Sequence, residues 1–417
     1  MMRCGAAVLL LTSAVTAGAQ GIPRGQSVAD RPHGEYDQVG IAVGSFRVLP
    51  AITGSLDATN NYFAEQSDTN ANVAATIRPE VTWRSSWSRH RIEGNAYLAL
   101  RLNAPLSREN VATFGISSLG TYDISRSTQL NTEIRGERRV EDRTQLDSFR
   151  ESLNPVSYNL LGGEVRLSHS VNRLTLESFV TLETRRYGEA LLTDRTSLSQ
   201  SYRNTDRLSL GGSGQYEISG GISAVVSASH SRVSYAFGPD DEAFVPNVTL
   251  NRNSTGNTLQ GGLRFQLSSL IFGTLQAGLL QRDYVDPRLR DISGPTFTAD
   301  LLWNVTPLTS LLLSGRRWVE ESGSTQSAGT VRVDVELEAQ HELLRNLLLT
   351  GTLKAGRLSS VSFDAKGQEL AVGLGARYLL NRKITVNGRV RHLRRSGAEI
   401  FPLYQATQAW LDLRYAY

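Results

Sequence analysis

Hydrophobic and polar positions alternate along this chain with a period of two almost from end to end. Between Val331 and Gln340 the odd positions read Val331, Val333, Val335, Leu337 and Ala339, and the even ones Arg332, Asp334, Glu336, Glu338 and Gln340. Successive side chains of a β-strand point to opposite faces, so this segment has one greasy face and one charged face. The same alternation sets Ile77, Val81 and Trp83 against Arg78, Glu80 and Arg84, and Leu259, Leu263 and Phe265 against Gln260, Arg264 and Gln266. Ile384, Val386 and Val390 stand likewise against Asn387, Arg389 and Arg391. No long window shows helical spacing instead.

The pattern predicts strands at 46–57, 72–84, 91–103, 110–124, 128–139, 157–169, 173–187, 203–217, 221–236, 255–267, 270–284, 296–305, 309–320, 329–340, 346–358, 368–380, 383–394 and 405–417. These are eighteen, an even number. Short connections such as 125–127, 170–172, 268–269 and 381–382 alternate with long ones rich in Asn, Asp, Ser and Arg, such as 139–156, 188–202 and 238–254. Short-long alternation is what an up-and-down outer-membrane barrel requires, with tight turns in the periplasm and larger loops outside. Backbone amides facing lipid must be paired, and a sheet achieves this only by closing on itself. Sandwich strands usually run about five or six residues. These are about twice that, whereas a tilted strand needs about 9 to 11 residues to cross hydrocarbon. The expected fold is therefore all-β: a closed, antiparallel, transmembrane barrel over 45–417.

Composition sharpens this picture. The 417 residues are 40% hydrophobic and 20% charged, with a mean hydropathy of −0.25. Such a low value suits a barrel, where only every second strand residue meets lipid. Residues 1–19 carry Arg3, the apolar run Ala6 to Leu11 and a small-x-small Ala17-Gly18-Ala19, the pattern of a cleaved signal peptide for Sec export. Residues 20–44 form a lead-in without a core, expected in the periplasm or folded into the barrel mouth. Cleavage removes Cys4, the single cysteine, and leaves no disulfide or thiolate chemistry. Net charge is +4, with Arg scattered among acids along the chain, so no basic patch points to nucleic acid.

If the apolar register faces lipid, the other lines a lumen. That register carries Arg78, Arg84, Arg101, Arg135, Arg166, Arg264, Arg332, Arg377, Arg389, Arg391 and Arg414, interleaved with Glu80, Glu93, Glu133, Glu137, Glu164, Glu177, Glu183, Asp334, Glu336, Glu338 and Asp412. Arg grips carboxylates and phosphates bidentately, which suits a path for an acidic polymer. Equally, cross-strand Arg–Glu pairs simply stiffen a wide wall. On the last three strands Arg377, Arg389, Arg391 and Arg414 meet only Asp412, so a positive strip is expected there. At the C-terminus Leu411, Leu413, Tyr415 and Tyr417 share one face, a terminal signature resembling the one by which barrels are recognised for insertion. Trp87, Tyr187, Tyr202, Tyr235, Phe237, Tyr284 and Tyr404 fall near strand ends, where aromatic girdles form. No paired His or Cys spacing suggests a metal, and no cofactor is expected. Ser229-His230-Ser231 is the nearest approach to a hydrolytic pair, without an evident orienting acid.

The start of the chain resembles the outer-membrane family called putative β-barrel porin 2. The matching residues are Arg31-Pro32-His33, Glu35-Tyr36-Asp37, Gly40-Ile41, Val43-Gly44-Ser45-Phe46, Asn61-Tyr62, Ser67-Asp68, Pro79 and Ser86-Trp87-Ser88-Arg89-His90. Where that family tends to carry an acidic Tyr-Asp-Asp-Asn turn, this chain reads Ala58-Thr59-Asn60-Asn61, which removes the basis for an ion site there. The resemblance implies a conduit for capsular or exopolysaccharide, working with export-complex proteins. A general diffusion porin and an outer-membrane hydrolase are the alternatives. Membrane lipid, lipopolysaccharide and the barrel-assembly machinery are the remaining expected partners.

Overall fold

The computed structural model describes residues 25–236, 250–321 and 329–417. The expected signal peptide with Cys4, and Phe237, lie outside these. The strands are β1 (Ile41–Val43), β2 (Phe46–Thr59), β3 (Asn72–Ser85), β4 (Arg91–Ala104), β5 (Val111–Asp123), β6 (Thr128–Val140), β7 (Ser157–Val171) and β8 (Leu174–Tyr187). A small separate hairpin, β9 (Glu189–Leu191) with β10 (Ser197–Ser199), follows. The chain then continues through β11 (Thr205–Ser219), β12 (Ile222–Tyr235), β13 (Ser254–Gln266), β14 (Ile271–Tyr284), β15 (Ile292–Thr306), β16 (Thr309–Glu321) and β17 (Gly329–Leu344). Last come β18 (Leu347–Ser360), β19 (Ala365–Leu379), β20 (Ile384–Gly397) and β21 (Tyr404–Ala416).

Each long strand pairs antiparallel with its neighbours in sequence, β8 with β11 across the small hairpin. The ring closes where β21 pairs with β2, from Ala51 opposite Ala416 to Thr59 opposite Gln408. Setting aside β1, which only extends β2, eighteen strands make a seamless barrel. Closure satisfies every ladder without an edge, the condition a bilayer imposes. The first barrel strand's start, the last strand's end and the tight turns lie at one end, which the architecture of outer-membrane barrels assigns to the periplasm.

Strand ends moved most where a breaker or a bulge misled the pattern. β15 begins at Ile292 despite Gly294-Pro295, because Pro295 pairs with Leu279 on one side while the ladder to β16 begins only at Thr298 opposite Arg316, an edge position where a missing N–H is tolerated. β17 runs through His341 to Leu344 past a register shift, so His341 is a strand residue and the turn is only 345–346.

Large exposed hydrophobics such as Leu56, Ile77, Leu102, Ile134, Leu182, Leu279 and Leu374 all occupy one register. Residues that contact chain segments from elsewhere in the molecule occupy the other: Ser310 Oγ accepts from Val28 N, and Arg395 donates to Thr144 O. The second register is therefore the interior. On the outer face, the Trp83 ring covers Gly94 directly opposite it and fills the space a Cβ would take, a cross-strand aromatic cover for a glycine.

Aromatic placement corrects one expectation. Tyr235, Tyr284 and Tyr404 are buried, and Tyr187, Tyr235 and Tyr404 stack under Arg203, Arg252 and Arg395. A residue at a strand end belongs to whichever register it falls on, and these fall beneath the loops. The outward aromatics at the turn side are Trp83, Tyr122, Tyr216, Trp303, Tyr378 and Tyr415.

Candidate functional site

The interior differs from one side to the other. From β2 to β8 the inner register is charged and mostly paired. Arg101 holds Asp57 through two hydrogen bonds of 3.0 and 2.6 Å, and Arg135 reaches Glu183 at 2.7 Å. Arg166 lies 2.8 Å from Glu164 and over the Phe179 ring. Arg78 stacks on Tyr97 at 4.1 Å and sits 3.5 Å from Glu80, while Arg84 stands 3.8 Å from Glu93. Arg101–Asp57 and Arg135–Glu183 each reach over an intervening strand, β3 and β7; Arg84–Glu93 joins neighbouring strands and the others step two residues along one, so the wall is braced at several spans.

From β11 to β14 the middle of the wall carries no charge. Its inward residues are Ser209, Gly211 and Ser213, then Ser227, Ser229 and Ser231, then Thr258, Gln260 and Gly262, then Thr274, Gln276 and Gly278. Arg264 stands below this patch and donates to Gln215 Oε1 at 2.8 Å. Ser229 faces inward here, but its neighbour His230 faces outward and bonds Asn257 on the lipid side at 2.8 Å. Opposite registers keep the two apart, so they form no nucleophile–base pair. His169, His341 and His392 are also outward and bond Thr128, Thr309 and Thr407. Among the described residues no cluster could hold a metal ion.

On the remaining wall Arg332 gathers Asp334 at 3.0 Å, Glu369 at 3.2 Å and Glu320 at 3.3 Å. Lys354 shares Asp334 at 3.0 Å. The expected positive strip is narrower than the sequence implied. Arg414 is met across the closing seam by Glu80 at 3.2 Å, Arg389 lies 3.6 Å from Asp412 and over Trp410, and Arg395 is buried against Glu369 at 2.8 Å. Arg377 stands opposite Asn387 and Arg391 opposite Gln408 on the same wall.

Two chain segments close in on this lumen. At the loop side, the connection 141–156 folds across the mouth. Arg143, buried, binds Glu109 of the β4–β5 loop at 2.7 and 3.3 Å and Ser152 O at 2.9 Å. Glu109 also accepts from Tyr62 Oη at 3.0 Å. Arg150 donates to Ala64 O at 3.1 Å, and Leu153 N donates to Leu191 O at 2.7 Å. Arg203 holds Glu141 and Asp147 O. Thr144 O accepts from Arg395 of β20 at 3.1 Å, six strand positions round the ring from β6. Burial pushes the Glu141 carboxyl up despite Arg203, lowers the Arg150 guanidinium, and with Glu109 raises the Tyr62 phenol above its usual range. The loop is thus fixed by buried ion pairs rather than left in solvent.

At the turn side, the lead-in is threaded into the opposite mouth. Val28, fully buried, donates from its amide to Ser310 Oγ at 2.9 Å, and Ala29 N donates to Gln340 Oε1 at 2.9 Å. Asn304 Nδ2 donates to Gln26 O, and Arg31 donates to Asn304 Oδ1 and Pro307 O. The segment then crosses to the seam, where Gln38 donates to Pro50 O and Tyr417 O at 2.9 and 3.0 Å and Arg382 donates to Glu35 O. The sequence left open whether these residues enter the mouth. Nothing in their composition marks Val28 as an anchor, and only the structure brings Ser310 and Gln340 to it.

Leu411, Leu413 and Tyr415 face outward on β21, and Tyr417 lies at its end with Lys383 over its ring at 5.2 Å. The sequence missed Glu109, Glu141, Arg143, Thr144, Arg150, Arg203 and Arg395 as a unit. The charges of loop 139–156 fit an inward-folded loop and a solvated one equally well, because a period-two reading carries no information about where a loop folds.

The solved structures that resemble this chain include OccAB3 of Acinetobacter baumannii, with 12% identity and a TM-score of 0.49, covering 90% of this chain and 100% of that one. OccAB2 of the same organism gives 9% and 0.48, covering 90% and 98%. OccK2 (OpdF) of Pseudomonas aeruginosa gives 11% and 0.46, covering 88% and 97%. A search of curated proteins found no match. The family model described as putative beta-barrel porin 2 matches residues 33–417, nearly the whole chain and all eighteen barrel strands, so this protein belongs to that family of outer-membrane, porin-like barrels.

Proposed function

We propose that the barrel conducts saccharide chains across the outer membrane, most simply an exopolysaccharide or capsular polysaccharide. The observation that carries this reading is the uncharged inner arc of β11 to β14, where hydroxyls, amides and glycines face the lumen. Hydroxyl and amide groups both donate and accept, which matches a polyhydroxylated solute whose ring hydroxyls do the same. Trp410 and Trp318, each with an Arg against its ring, add apolar faces on which sugar rings can slide. The arginines are for the most part already held by acids, so the lumen suits a neutral or weakly charged chain better than the strongly acidic polymer that their number alone suggested. Weak, repeated contacts let a solute leave as readily as it enters.

Deletion of the gene followed by assay of surface and cell-retained polysaccharide tests this. Loss from the surface with accumulation inside is expected; normal secretion would defeat the polysaccharide reading and leave the barrel untouched. A second reading, a diffusion porin for small solutes, is favoured by the loop 141–156 lying across the mouth. It would show steady ion conductance in planar bilayers that added oligosaccharide does not block.

The outward face of Leu411, Leu413, Tyr415 and Tyr417 is proposed as the signal that the assembly machinery reads. Removing Tyr415 to Tyr417 also removes the last pairs of the closing seam, Ala51 with Ala416 and Ile52 with Tyr415. The truncated protein should accumulate unassembled and protease-sensitive. Unchanged heat-modifiable migration on a gel would count against both roles.

A further inference from the structure

On the outward register of the described barrel strands, every charged side chain stands at the loop-side end. They are Arg138, Arg186, Arg232, Arg317, Arg357, Lys366 and Arg394, and of opposite sign, among the described side chains, Asp206 and Asp283. Toward the turn side the same register is apolar, His or Ser/Thr, ending in the aromatics Trp83, Tyr122, Tyr216, Trp303, Tyr378 and Tyr415. The two rims of the outer surface are therefore chemically different: one is aromatic, the other cationic.

Some of these cations are already engaged. Arg186 is bound by Asp206 at 2.6 and 2.8 Å, Arg138 donates to Ser157 Oγ at 3.3 Å, and Arg317 donates to Pro295 O. Arg357, Lys366 and Arg394 are different. They lie on three adjacent strands, all exposed, and their side chains make no hydrogen bond or ion pair with any described residue. Arg357 stands opposite Gln368 of β19 and Arg394 opposite Leu370 of the same strand, while Lys366 lies one outward position beyond Gln368, opposite Ser359. Arg357 and Arg394 thus flank β19 at two strand spacings and a two-residue offset, about 12 Å apart, within reach of long side chains that converge on one headgroup. Asp364 and Glu399 in the adjoining loops form no ion pair with them.

We propose that Arg357, Lys366 and Arg394 bind the phosphates of an anionic lipid in the loop-side leaflet, so that the cationic rim seats the barrel among phosphorylated glycolipids of the outer surface. Unpaired charge on a lipid-facing register costs least at the headgroup level, and that is where all of it stands. Arg forks match phosphate oxygens bidentately, and Lys adds a third, mobile donor. The apolar band below gives the acyl chains their place. A soluble anion gains no such second contact, so the occupant is a lipid.

The test uses the full-length protein in phosphatidylcholine nanodiscs with and without bis-phosphorylated lipid A. Arg357→Gln, Lys366→Gln and Arg394→Gln are combined, and a second triple variant, Arg126→Gln, Arg173→Gln and Arg345→Gln, removes equal charge from exposed turns at the other end. Lipid A retained after purification should fall by roughly tenfold or more in the first variant and hold in the second. In the wild type, added lipid A should raise the temperature of heat-modifiable unfolding, and inorganic phosphate should not. Equal losses in both variants, no loss in the first, or an equal response to free phosphate would overturn the proposal. If the first variant does not assemble, Arg357→Lys with Arg394→Lys keeps the charge; that pair must assemble and must retain less lipid A than the wild type by losing the bidentate forks, and full retention would again overturn it.

Discussion

Gly262→Ala or Gly278→Ala should prevent most of the chain from reaching the heat-modifiable barrel form, while Gly261→Ala, one residue away, should assemble like the wild type. The reason is local. Gly262 lies opposite Gln276 and Gly278 opposite Gln260 on the β13–β14 ladder. A Cβ on Gly262 would stand 1.8 Å from Leu275 O and 2.7 Å from Gln276 Cα, and one on Gly278 1.8 Å from Leu259 O and 2.7 Å from Gln260 Cα. These are backbone atoms held in paired strands, with no flexible side chain that could swing aside. Relief requires the ladder itself to part, and in a closed barrel a displaced strand disturbs both neighbours. Overpacking of this kind costs about 1 to 3 kcal/mol or more, and at about 1.4 kcal/mol per tenfold the assembled fraction drops sharply if assembly is near balance. A Cβ on Gly261 points outward and meets only Val225 O at 4.0 Å. Gel migration before and after heating separates the outcomes, and equal assembly of Gly262→Ala and Gly261→Ala would show that this corner relaxes more freely than its geometry implies.

The barrel was legible in the chain because its governing constraint acts on every strand. Lipid outside and water inside force a two-residue alternation, which the run from Val331 to Gln340 displays without any tertiary knowledge. Hairpin connections are likewise local, so the turn at 381–382 could be read from Asn381 and its neighbours. What was hidden depended on contacts between distant positions. Glu80 neutralises Arg414 only because β21 closes onto β2 and so comes next to β3, and no periodicity reports that adjacency. The Ser229 and His230 pair looked adjacent in sequence and is separated for the same reason that made the strands visible: neighbours on a strand face opposite ways. Loop 141–156 stayed undecided because Arg143, Asp147, Arg150 and Glu151 fit a solvated loop as well as one folded inward, and its anchoring follows from partners on three other connections and on β20. The cationic rim was present in the sequence as Arg357 and Arg394 on the greasy register, but their standing side by side across β19 depends on strand pairing that no periodicity reports.

That same loop gives the second large effect expected of this molecule. Arg143→Ala should release the mouth and raise single-channel conductance in planar bilayers, with barrel assembly unchanged. Arg143 and Glu109 are 4% and 2% exposed as side chains, and Glu109 depends on Arg143 for its counter-charge, with Tyr62 supplying one further hydrogen bond. Removing one partner of a buried pair costs about 3 to 5 kcal/mol, because the other is left charged and unsolvated. The rim offers an outlet that the β-ladder lacks: loop 141–156 can lift away and give Glu109 back to water without breaking a strand pair. The penalty is therefore spent on opening rather than unfolding, and a shift of roughly a hundredfold toward the open loop is expected at about 1.4 kcal/mol per tenfold. Combining Arg143→Ala with Glu109→Gln removes the stranded charge, so the double variant should close again in part and conduct less than Arg143→Ala alone. The remaining ties, Arg203 to Glu141, Arg150 to Ala64 O and Arg395 to Thr144 O, supply the closing force in that variant. Identical conductance in the wild type and both variants would mean that the loop, although fixed by buried pairs, does not limit the pore, and the restriction would then have to lie with the lead-in around Val28 at the opposite mouth.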